Sequence, residues 1–137
     1  MKRKATAIWK GSGMEGGGSI TTQSNALSNT QLSFKSRFEN GIGTNPEELL
    51  AASHAGCFTM KLAFVLNESG FVAEKLETIA TVTLENGSIT SSHLEVTAIV
   101  PNISNETFEQ SVSDAKENCP ISKAINALLS VTSNLAN

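Results

Sequence analysis

The chain has 137 residues, 39% hydrophobic and 17% charged, which suits one compact domain, 1–137, better than two domains or a disordered tail. Its net charge of −3, a pI near 5.4 and scattered basic residues exclude a nucleic-acid-binding stripe and a polybasic membrane surface. The basic start Met1-Lys2-Arg3-Lys4 has no apolar run behind it, and no segment reaches the roughly 18 unbroken apolar residues of a membrane span, so a soluble, cytoplasmic protein is expected.

Taken in order, Ala5–Trp9, Ser19–Ser24 and Leu32–Arg37 read as short strands separated by Gly-, Ser- and Asn-rich turns. The first turn, Gly11 to Gly18, is not a phosphate loop. It lacks a Lys-Ser/Thr ending, and the strands flanking it offer no helix N-terminus to a phosphate. At Asn45-Pro46-Glu47-Glu48 a helix begins: Asn45 can cap, Pro46 is pre-set for the first helical position, and Glu48 can complete a reciprocal capping arrangement. From Leu49 to Leu66 apolar residues occupy nearly every face, and Gly70-Phe71 closes the helix. A helix of this kind is buried on most sides. A small domain cannot wrap it alone, so a second subunit is expected to cover part of it.

Lys75–Glu85 and Ser88–Pro101 flank Asn86-Gly87, a two-residue hairpin signal, and alternate apolar with polar residues. After Ser104, a cap, Phe108, Val112, Ala115 and Cys119 recur at helical spacing until Pro120 breaks the run. Pro120 can open a further short helix through Asn126, before a last strand at Leu128–Thr132. Strands, helix, hairpin, helix and strand in this order define an α+β domain.

Two cysteines, Cys57 and Cys119, without CxxC spacing do not make a disulfide scaffold, and free thiols are commonly small buried hydrophobes. Cys57 lies more than two turns into its helix, beyond reach of the helix dipole, and burial would raise its pKa. An unperturbed thiol near pKa 8.5 is only about 3% thiolate at pH 7, so a reactive Cys57 needs a cation. The chain has two arginines, Arg3 in the basic start and Arg37 close in sequence to the helix entry. A guanidinium about 4 Å from the sulfur is worth on the order of 4 kcal/mol at an effective dielectric near 20, ample for a two-unit shift. Glu47 and Glu48 favour the helix N-terminus in any case, and either can pair with Arg37. Arg37 as a plain surface charge is the competing reading. His54, one turn before Cys57, with Asp114 makes a nominal hydrolase triad on paper, although nothing specifies an oxyanion hole. A metal site from His54, Cys57 and Cys119 lacks ligand spacing.

The runs Arg37-Phe38-Glu39, Gly43-Thr44-Asn45-Pro46-Glu47-Glu48-Leu49-Leu50-Ala51-Ala52-Ser53-His54-Ala55-Gly56-Cys57-Phe58 and Asn118-Cys119-Pro120-Ile121-Ser122-Lys123 resemble the osmotically inducible protein C family, OsmC/Ohr. The resemblance covers essentially the whole chain and includes Ala7-Ile8-Trp9-Lys10-Gly11. It implies antiparallel sheets around a long buried central helix, and an intertwined homodimer with active sites at the subunit interface. It also implies a thiol peroxidase that reduces organic hydroperoxides to alcohols in oxidative or osmotic stress defence. Carried over, Cys57 is the peroxidatic cysteine, Cys119 the resolving cysteine that forms a disulfide with it, Arg37 the thiolate-stabilising residue and Glu47 the residue that orients the arginine. Gly11 to Gly18 contains no Arg or Lys, which favours the OsmC branch over its sister. No cofactor or metal is implied, since the redox equivalents reside in the cysteine pair. An external dithiol, whether a lipoyl group, thioredoxin or a small thiol, would restore it. Apolar surroundings at Leu50, Phe58 and Met60 would favour bulky organic peroxides over hydrogen peroxide. The alternative is a non-catalytic dimer that binds a hydrophobic small molecule between subunits.

Overall fold

The computed structural model describes residues 1–137, which divide within a helix into two units, Met1–Leu49 and Leu50–Asn137. In the first unit β1 (Ala5–Lys10), β2 (Gly17–Thr22) and β3 (Thr30–Leu32) form an antiparallel sheet in that order. The glycine run serves this sheet. A Cβ at Gly18, opposite Trp9, would stand 2.1 Å from the Ile8 carbonyl oxygen, so only glycine fits.

The third strand is shorter than the sequence suggested. It stops at Leu32, and Phe34–Phe38 forms a short helix, α1, that carries Arg37. Ser33 caps it reciprocally: its hydroxyl accepts from the Ser36 N–H at 3.0 Å, while Ser36 Oγ accepts from the Ser33 N–H at 2.9 Å. This capping box ends in Ser rather than Glu or Gln, so its signal is weak in the sequence.

α2 spans Pro46–Glu68. Asn45 caps it as expected, its Oδ1 accepting from the Glu48 N–H at 2.7 Å. The reciprocal half differs from expectation, because the Glu48 carboxylate accepts instead from Thr44 Oγ1 at 2.7 Å. At the other end Gly70 sits at φ +86°, the Phe71 N–H donates to the Leu66 carbonyl at 2.9 Å, and the Gly70 N–H to that of Asn67 at 3.0 Å. That is a Schellman termination.

In the second unit β4 (Lys75–Glu85) and β5 (Ser88–Ile99) form the long hairpin, with Asn86 and Gly87 both at positive φ as a type I′ turn requires. β6 (Leu128–Leu135) completes a sheet of order β4-β5-β6. The expected antiparallel pairing holds except at one edge, where β6 runs parallel to β5. The intervening chain makes this pairing attainable: α3 (Asn105–Asn118) and α4 (Pro120–Ala124) supply the crossover that parallel neighbours need. Ser104 caps α3, and α4 stops two residues before the expected Asn126.

The core of this unit joins Phe58, Leu62 and Leu66 of α2 to Leu94, Val96 and Ala98 of β5 and to Phe108, Val112 and Ala115 of α3, and includes Cys119. Within the single chain α2 is buried along one side, which leaves the rest of its surface for the second subunit expected from the sequence. His54, Phe58, Leu62, Val65 and Leu66 face inward, whereas Ala52, Gly56, Met60 and Phe64, spaced four apart on another face, are exposed. By length and composition α2, an 18-residue stretch of which has a mean hydropathy of 1.5, would also pass as a membrane span. Its inward stripe instead forms part of a protein core.

Candidate active site

The expected site residues fall into two pairs, one in each unit. In the first, α1 presents Arg37 and the first turn of α2 presents Glu47. The guanidinium meets the carboxylate in a fork, Nη2 to Oε1 at 2.8 Å and Nε to Oε1 and Oε2 at 3.1 and 3.3 Å. Such planar two-point contact fixes the orientation of an arginine, not only its charge. Asn45 locks the geometry from below, donating from Nδ2 to the Ser36 carbonyl at 2.8 Å, so one residue both caps α2 and anchors α1. The open choice between carboxylates is thereby decided for Glu47, because Glu48 is engaged by Thr44. Beside the pair lies an apolar cleft lined among others by Trp9, Leu32, Phe34, Arg37, Phe38 and Pro46, with Arg37 Cζ 5.2 Å from the centre of the Phe38 ring. The expected apolar surroundings are not assembled from Leu50, Phe58 and Met60: Phe58 is fully buried in the core and Met60 is 65% exposed. The sequence pattern puts Phe34 in a strand and Phe38 in the turn after it, so it does not bring the aromatic residues of the cleft together.

In the second unit Cys57, partly buried in mid-helix, and Cys119, fully buried between α3 and α4, are both free thiols. Their side chains are close enough for each to feel the other. Burial pushes the Cys57 thiol up, and the hydrogen bond and charge of Cys119 push it the same way; the Ile121 N–H, in the first turn of α4, pulls it down. This corner alone therefore favours a protonated Cys57, and a thiolate there needs a cation besides.

His54 does not pair with Cys57 as a hydrolase base. It is fully buried, its Nδ1 2.7 Å from Ser92 Oγ on β5 and its Nε2 2.9 Å from Ser122 Oγ on α4, and burial lowers its pKa. Both ring nitrogens are thus taken. Asp114 is exposed and accepts a hydrogen bond from Asn118 on its own helix, so the nominal triad does not form. No group of three His, Cys, Asp or Glu is placed to hold a metal ion, and His54, Cys57 and Cys119 do not make one. Ser92 and Ser122 carried no signal in the sequence, since they lie 38 and 68 residues from the histidine they partner.

Comparison with known proteins places the chain in a family. The family model described as OsmC-like protein matches residues 38–134. Peroxiredoxin OsmC of Escherichia coli K12 is 38% identical over 129 residues, covering 91% of this chain and 90% of that protein. Organic hydroperoxide resistance protein-like 1 of Staphylococcus saprophyticus is 36% identical over 98 residues, 69% of this chain and 70% of the relative. Among solved structures, the organic hydroperoxide resistance protein OhrB of Bacillus subtilis superposes with a TM-score of 0.67 at 26% identity, over 96% of this chain and 97% of that one. The chain belongs to the OsmC family.

Proposed function

We propose that this protein is a thiol peroxidase that reduces organic hydroperoxides to alcohols through Cys57 and Cys119. The observation that carries the reading is the approach of these two thiols, one partly open and one buried, on elements separated by a hairpin and a helix. The names of the bacterial relatives support it. In the first step the Cys57 thiolate attacks the terminal peroxide oxygen, the O–O bond breaks, and the alkoxide leaves as alcohol after taking a proton; Cys57 becomes a sulfenic acid. In the second, the Cys119 sulfur displaces the hydroxyl as water and the Cys57–Cys119 disulfide forms. An external dithiol reduces it by exchange.

Arg37 supplies the cation the thiolate needs, and Glu47 orients it. The fork between them supports these roles, because an arginine that must meet a small anion in one geometry requires a second partner to hold its plane. The apolar cleft beside Arg37 takes the organic part of the peroxide. The reading treats residues 1–137 as one functional domain, working as a homodimer in the reducing cytoplasm without a cofactor. The same cleft favours the second reading, a dimer that holds a hydrophobic small molecule and performs no chemistry.

One equivalent of cumene hydroperoxide separates the two. Intact mass should show loss of two hydrogens, and titration loss of both thiols, in the parent chain; Cys119→Ser should stop at sulfenic or more highly oxidised Cys57, and Cys57→Ser should not react. Two untouched thiols in the parent would overturn the peroxidase and leave the ligand-binding dimer.

A further inference from the structure

Three buried polar side chains meet at one point in the second unit. His54 and Ser92 are completely buried, and Ser122 is 5% exposed. They join α2, β5 and α4 through hydrogen bonds of 2.7 and 2.9 Å, and no buried polar side-chain atom is left without a partner. Removing both ends of a buried hydrogen bond in favour of apolar groups is often nearly neutral for stability, so such a cluster calls for a reason other than strength.

Its position supplies one. His54 precedes Cys57 by three residues on α2, and Ser122 follows Cys119 by three residues. On a helix that spacing places both side chains on one flank. A hydrogen bond joins the two segments at His54 and Ser122, and one turn along each, Cys57 and Cys119 are neighbours. Cys119 is the residue that enters α4, with no side chain capping the helix, and the Lys123 N–H closes its first turn on the Cys119 carbonyl at 3.1 Å. Ser122 is thus fixed to Cys119 through one turn of helix and to α2 through His54. The third member, Ser92, holds the imidazole from the central strand of the sheet. Because α4 has only five residues and begins at a proline, it has few bonds of its own to keep the Cys119 sulfur in place.

We propose that His54 and Ser122 are positioning residues that hold the Cys119 segment against Cys57, and so set how readily the Cys57–Cys119 disulfide closes. This rests on the cysteine pairing of the reading above but not on peroxide as the oxidant. Either tautomer of the imidazole maintains the His54–Ser122 hydrogen bond, since a serine hydroxyl can donate to one ring nitrogen and accept from the other.

The test is the equilibrium of the full chain with oxidised and reduced dithiothreitol, read by mass and free-thiol count: protein dithiol plus cyclic disulfide gives protein disulfide plus dithiothreitol. Ser122→Ala should lower the equilibrium constant for closure at least tenfold, about 30 mV for a two-electron couple. Ser92→Ala removes a hydrogen bond from the same imidazole but leaves the one to α4, and should stay within about threefold of the parent. The triple variant His54→Leu/Ser92→Ala/Ser122→Ala strands no polar group; it should fold and yet show the same fall as Ser122→Ala. The proposal is overturned by a parental constant in Ser122→Ala or in the triple variant, by an equal loss in Ser92→Ala, or by a parent that closes no disulfide between Cys57 and Cys119. A parent inert to cumene hydroperoxide that nevertheless shows the Ser122→Ala effect would remove the peroxidase and leave this inference standing.

Discussion

At the scale of single residues, charge and burial pull the site's groups in opposite directions. Arg37 and Glu47 keep much of the guanidinium in solvent, with 42% of its side chain exposed, so the pair contributes at most about 1 kcal/mol to stability and its use lies in orientation. His54 is the reverse case, fully buried and without a charged partner in its ring contacts. Its pKa in the folded chain lies below its ordinary value of 6.5 because burial disfavours the imidazolium. Well above pH 6.5 the residue is neutral folded or unfolded and contributes no pH dependence. As pH falls below 6.5 the unfolded chain takes up a proton that the folded chain resists, so stability declines, by at most about 1.4 kcal/mol per pH unit for this one group. Urea unfolding midpoints should drop between pH 7 and pH 5.5, and His54→Leu should flatten that slope; an unchanged slope in the variant would assign the decline to other groups.

At the scale of elements, α2 explains both what the sequence showed and what it concealed. Its start at Asn45-Pro46 and its end at Gly70 were legible because each depends on one or two residues with strong local preferences. The hairpin turn at Asn86-Gly87 was legible for the same reason. Which face of α2 was buried was not, because Ala52, Gly56, Met60 and Phe64 are as apolar as the inward stripe and only the packing distinguishes them. The strand expected at Leu32–Arg37 yielded to α1 because the competing cap is a serine pair of weak signal. The parallel β5–β6 pairing depends on a crossover, a nonlocal property that alternation within one strand does not encode. Of the candidate site, the family resemblance singled out the two cysteines and the Arg37–Glu47 pair, whereas the serines that hold His54 are tertiary partners and had no local signature. The exposed stripe has its own implication. Met60 and Phe64 are 65% and 59% exposed on a helix that otherwise builds a core, an arrangement that fits a subunit interface. Light scattering at micromolar concentration should give twice the chain mass, and Phe64→Glu should reduce it to the monomer; a monomeric parent would contradict the dimer.

At the scale of the whole molecule, the two cysteines bracket much of the chain. Between Cys57 and Cys119 lie the end of α2, both strands of the hairpin and all of α3. Closing the disulfide would therefore tie a loop of roughly 60 residues, and in the chain-entropy account this restricts the unfolded chain enough to add about 4 kcal/mol to stability. Oxidised chain should unfold at markedly higher urea concentration than reduced chain, and equal midpoints would show that the closed pair strains the native state by as much as it restricts the unfolded one. Resistance to proteolysis would follow the same order. A molecule waiting for its reductant would then be the sturdiest form in the cycle, so that exhaustion of cellular dithiols would preserve the spent protein instead of marking it for destruction.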